Sequence, residues 1–104
     1  MSVNMSPDQD AYHQYIDGRE LLRISLMERE KRLRELADLT NIPKGIETED
    51  TIIGFDQMRA QTVLFELSLL TERIESLVML INEYANQCGE PPIEITSNKS
   101  WASK

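Results

Sequence analysis

Cysteine, tryptophan and histidine each occur once in this chain, and no apolar run approaches the ~20 residues needed to cross a bilayer. One cysteine, Cys88, closes no internal disulfide, which suits a reducing compartment. The four glycines form no phosphate-cradling loop, and there is neither a zinc-ligand spacing nor a serine-centred elbow. The start of the chain, Met1 to Asp10, is polar and acidic and lacks the basic start and apolar stretch of a secretory signal. The expectation is therefore a soluble, cytoplasmic protein, in which the sequon Asn98-Lys99-Ser100 is a chance match.

Positive charge is also in short supply. Eleven Lys and Arg stand against eighteen Asp and Glu, a net charge of -7. Nucleic-acid affinity comes largely from neutralising phosphates, so this balance argues against a nucleic-acid partner. It equally disfavours an anionic membrane surface, and it is compatible with a positively charged protein partner. The most basic run, Glu28 to Glu35, holds four positive charges in eight residues, but its glutamates make it nearly neutral. Glu28 and Arg32, and Glu30 and Arg34, have the i, i+4 order that stabilises a solvated helix face.

What the chain does have is helical periodicity. Ser6-Pro7-Asp8-Gln9 is a helix start, with Ser6 as N-cap and Pro7 at the first helical position. A helical pattern then runs to about Leu39 through Ala11, Tyr12, Tyr15, Ile16, Leu22, Leu26, Leu33, Leu36 and Ala37. Gly18 is its weak point, costing ~1 kcal/mol relative to Ala. Thr40 to Gly45, with Pro43, closes it. Thr48 then reads as the cap of a second helix over about 48–88, ended by Gly89 and Glu90-Pro91-Pro92. Residues 1–5 are expected to be disordered, 6–89 to form one helical domain with a loop over 40–47, and 90–104 to be a flexible tail.

The second helix carries two apolar stripes. One runs Ile53, Ala60, Val63, Leu67, Leu70, Ile74, Leu77, Ile81, Tyr84, Cys88 in alternating steps of three and four, interrupted at Asp56. That spacing is a heptad seam. The other runs Phe55, Met58, Thr62, Phe65, Leu69 and returns at Met79, on roughly the reverse face. A helix apolar on two sides is buried on two sides. The seam's flanking e positions, Leu64, Thr71, Val78 and Ala85, are uncharged too, which suits a bundle of three or more helices.

The fold expected is all-α: two long antiparallel helices, a helical hairpin, dimerising into a four-helix bundle. Aligning the helices about the short loop sets Leu22 near Phe65 and Arg29 near Asp56, an expected ion pair. It leaves Ile81 and Tyr84 overhanging the end of the first helix. The expected interface is Phe55, Met58, Phe65, Leu69, Met79, Ile81 and Tyr84, with Trp101 as a possible anchor in the tail.

No chemistry stands out. Asp10 and His13 share a helix face, but a di-metal site needs further ligands from other helices. Cys88 has no neighbouring base and sits near a helix C-terminus, which disfavours the thiolate. Glu72 and Glu75, with Glu35 and Asp38, resemble the paired carboxylates of all-helical nucleotide hydrolases that hold magnesium. The expected register sets Glu72 near Tyr15, so the two pairs do not converge within one chain. The function expected is a non-catalytic protein–protein interaction module without metal or cofactor: a small acidic adaptor, chaperone, inhibitor or assembly subunit acting as a homodimer on another protein. The alternatives are a metal–carboxylate enzyme assembled across a helical dimer and a nucleic-acid-binding regulator.

Overall fold

The computed structural model describes residues 7–96, in two helices: α1, Pro7–Leu39, and α2, Gln57–Cys88. No strand occurs among the described residues, and the fold is an all-α helical hairpin. Among those residues no helix is long and apolar enough to cross a membrane. Residues 1–5, the Ser6 cap and Trp101 lie outside the described residues. The chain divides into two compact units. A loop unit comprises Leu22–Glu75, and a terminal unit joins 7–21 to 76–96.

The heptad seam of α2 is the buried face. Ala60, Val63, Leu70 and Ile74 are buried in the loop unit and Ile81 in the terminal unit, while Leu67, Leu77, Tyr84 and Cys88 are half-buried. The facing stripe on α1 is Ala11, Tyr15, Gly18, Leu22 and Ser25, continued by half-buried Arg29, Arg32, Leu36 and Leu39. Glycine, serine and two arginines therefore hold core-facing positions, and Leu26 and Leu33 do not.

α2 starts later than the sequence suggests, at Gln57. Thr48 does accept from the backbone, taking the N–H groups of Asp50 at 3.2 Å and Thr51 at 3.1 Å on its Oγ1. Thr48 and Thr51 also exchange backbone hydrogen bonds, which closes a local turn. β-branched Ile52 and Ile53, then Gly54, follow in non-helical backbone. The working cap is Asp56, whose Oδ1 accepts the Arg59 N–H at 3.0 Å while its carbonyl accepts from Ala60. The charged gap in the seam is thus the helix N-cap. Asp56→Ala is expected to cost ~1 kcal/mol in urea unfolding, and Thr48→Ala less than half of that. Equal losses would contradict this assignment.

The longer connection moves the register. In the loop unit Glu35 meets Arg59 and Arg32 meets Glu66, two to three turns from the alignment expected. Arg29 and Asp56 form no ion pair, because Asp56 sits at the helix start. In the terminal unit Ile81 is not an overhang: it is 1% exposed, packed against Gly18. Tyr84 is half-buried. At the far end, Gly89 takes a φ of 79° and the Glu90 N–H donates to the Ala85 carbonyl at 2.9 Å, a Schellman closure. The chain beyond it is held through Ile93, which pairs with Asn82, so the free tail expected from residue 90 does not begin there.

Candidate interaction surfaces

The loop unit has two unlike flanks. On one, Arg59 grips Glu35 with two parallel hydrogen bonds, Nε to Oε2 at 2.6 Å and Nη2 to Oε1 at 2.9 Å. Such a fork is the strong geometry for a guanidinium–carboxylate pair. Arg32 Nε lies 2.5 Å from Glu66 Oε2 in an ion pair, and Arg32 Nη1 is 3.7 Å from Glu35. Arg59 Nη1 and Glu66 Oε1, at 3.9 Å, complete a four-charge network between the helices. A cleft lined by Glu28, Arg32, Glu66, Leu69, Leu70 and Arg73 continues along this side.

Pairing shifts the titration of Glu35 and Arg59. The hydrogen bond from Arg59 holds the Glu35 carboxyl below its ordinary range, helped by the charges of Arg59 and Arg32 and opposed by partial desolvation. The bond to Glu35 raises Arg59 in turn. A carboxylate whose folded pKa is depressed stabilises the fold above its unfolded pKa and loses that contribution as pH falls through the folded value. Glu35→Gln should therefore flatten the stability profile on the acidic side of the ordinary glutamate range and leave its shape unchanged near neutrality. The effect is small, since these groups stay about one-third exposed and solvent screens them. An unaltered acid limb in urea titrations would remove Glu35 from the account.

The groove on the opposite flank has no charged residue in its lining. It is shallow and lined by Leu36, Thr40, Phe55, Gln57, Ala60, Gln61 and Leu64. Leu26 and Leu33 on α1 stand exposed at the equivalent heptad position. The sequence signal for this flank is the run of uncharged e positions. The structure separates them: Val78 and Ala85 are buried in the terminal unit, Thr71 is half-buried, and Leu64 is 51% exposed.

The reverse face of α2 is exposed as well. Met58 is 81% and Phe65 65% exposed, and Leu69 and Met79 also stand in solvent, while Phe55, which precedes the helix, lines the groove of the Leu64 flank. Ile81 and Tyr84 do not join them. Ion pairing within the loop unit was legible only in part: Arg34 does take Glu30 at 2.7 Å, but Arg32 turns to Glu35 and Glu66 rather than to Glu28.

Asp10 and His13 are exposed in the terminal unit, and Glu72, Glu75 and Asp38 are exposed in the loop unit while Glu35 is committed to Arg59. Among the described residues no three His, Cys, Asp or Glu side chains gather as metal ligands. Cys88 is half-buried with its Sγ 3.8 Å from the Ala85 carbonyl. In comparisons with known proteins, the chain matches no family model, no curated protein and no solved structure.

Proposed function

We propose that the chain is a non-catalytic protein–protein interaction module that works as a homodimer, two hairpins closing into a four-helix bundle. The observation that carries this reading is the asymmetry of the loop unit. One flank satisfies its charges internally, while the other leaves Leu26, Leu33, Phe55 and Leu64 open beside an apolar groove. At ~25 cal/mol per Å² of apolar surface, covering several such side chains offsets much of the entropic cost of association. An exposed patch of this kind marks an interaction surface more often than an idle one.

The dimer would present the remaining apolar residues of its loop unit, Met58 and Phe65, and its acidic surround to another protein, as an adaptor, chaperone, inhibitor or assembly subunit does. A cytoplasmic setting suits the single thiol. A carboxylate enzyme assembled across the dimer would have to start from Glu72 and Glu75, since Glu35 is held by Arg59.

Light scattering on a sizing column over a concentration series tests the reading directly. The expected mass is near twice the 12.0 kDa chain mass, constant over the upper part of the series. A monomer at every concentration would overturn self-association.

A further inference from the structure

The terminal unit contains a site where one side chain reads a peptide backbone. After the Schellman closure at Gly89, Pro91 and Pro92 offer no backbone N–H and favour an extended path. Ile93 is the next residue able to donate, and both of its backbone groups go to Asn82. The Ile93 N–H donates to Asn82 Oδ1 at 2.8 Å, and Asn82 Nδ2 donates to the Ile93 carbonyl at 3.0 Å.

A primary amide carries an acceptor and a donor side by side, so Asn82 presents to the strap what a neighbouring β-strand residue would. Backbone pairing of this kind gives affinity that tolerates sequence, while side-chain placement selects. The position needs an N–H, which excludes proline there. It half-buries an aliphatic side chain, Ile93, and leaves Glu94 and Ile95 in solvent. Two prolines ahead of it reduce the entropy lost on ordering the segment.

We infer that Asn82 is a binding site for an extended, proline-led peptide with an aliphatic residue at the paired position, occupied in this structure by the chain's own Pro91–Ile93. The site is independent of the apolar flank of the loop unit. Because the chain's own segment is joined to Asn82 by only ten residues, six of them in α2, it competes intramolecularly with any free peptide. A peptide in trans therefore binds only after that segment is released.

Two measurements on the full-length chain test this. Hydrogen exchange of the Ile93 amide should be slowed on the order of tenfold relative to an unstructured peptide, as a net hydrogen bond of ordinary strength requires. Asn82→Ala should abolish that protection, and Asn82→Asp, which keeps the acceptor and loses the donor, should retain part of it. The second measurement titrates the capped hexapeptide Pro-Pro-Ile-Glu-Ile-Thr into the Ile93→Pro variant, whose own segment can no longer donate. The Asn82 side-chain NH2 resonances should move in that variant and stay still in the unmodified chain at the same peptide concentration. An Ile93 amide that exchanges without protection would overturn the inference. So would Asn82 resonances in Ile93→Pro that ignore the peptide, or binding that survives the added Asn82→Ala.

Discussion

Replacing Gly18 with leucine is expected to destabilise the protein by ~3 kcal/mol or more, and replacing it with alanine by ~1–2 kcal/mol. Helix propensity alone gives the opposite sign for alanine, since an interior Gly→Ala change gains ~1 kcal/mol. The close approach decides. A Cβ at Gly18 would stand 2.7 Å from Ile81 Cγ1 and 3.5 Å from its Cδ1. Ile81 is 1% exposed and β-branched, so within a helix its branch has one strongly preferred rotamer and cannot swing clear. The helix backbones must part instead, and packed interiors resist that. Ile81→Ala removes the obstructing atoms and by itself should cost ~2–5 kcal/mol. Gly18→Leu with Ile81→Ala should then be more stable than the two losses added, by a coupling of ~0.5–3 kcal/mol. Urea unfolding followed by helicity reads the four variants and their parent. A Gly18→Ala chain more stable than its parent would show that the contact relaxes freely.

Gly18 also shows what was legible in the sequence and what was not. The heptad seam of α2 was readable because its apolar side chains repeat every three or four residues from Ala60 to Cys88, and periodicity survives any error in alignment. Both helix ends marked by proline or glycine, at Leu39 and Cys88, were readable for the same local reason. The seam of α1 was not. Its buried positions include Gly18 and Ser25, while exposed Leu26 and Leu33 look like core by composition. Only the partner helix reveals that a glycine is there for a close approach.

The start of α2 fails for a different reason. Thr48 and Asp56 both carry cap chemistry, and a cap residue reports a turn of backbone without reporting whether a helix follows. Ile52-Ile53-Gly54 was the signal against continuing from Thr48. Once the start is misplaced, every pairing across the loop moves with it, so Arg29–Asp56 was expected where Glu35–Arg59 forms. Asn82 and Ile93 pair through a side-chain amide and a segment without period, which leaves no pattern to read.

Leu64→Glu is expected to raise the dissociation constant of the proposed dimer by at least about a hundredfold, roughly 3 kcal/mol, while leaving the hairpin's helicity intact. Leu64 is half in solvent within one chain, so a carboxylate there is tolerated by the monomer. Buried between two copies it must shed its water without a partner, beside a groove whose lining offers no cation. Phe65, the adjacent residue, is the sharper control. It lies ~100° further round the helix, on the reverse face. The sequence reading put the interface on that face, with Phe55, Met58 and Leu69. In the proposed dimer the copies meet instead through the Leu64 flank, where Leu26 and Leu33 hold the equivalent heptad position on α1, so that both helices contribute to one contact. Leu33→Glu should therefore dissociate the dimer as Leu64→Glu does, and Phe65→Glu should leave the mass near twice the chain mass. If Phe65→Glu alone produced monomers, the copies would meet through the reverse face of α2. If none of the three changed the mass, neither face of the loop unit would join the copies, and the asymmetry between its paired and unpaired flanks would lose its functional meaning.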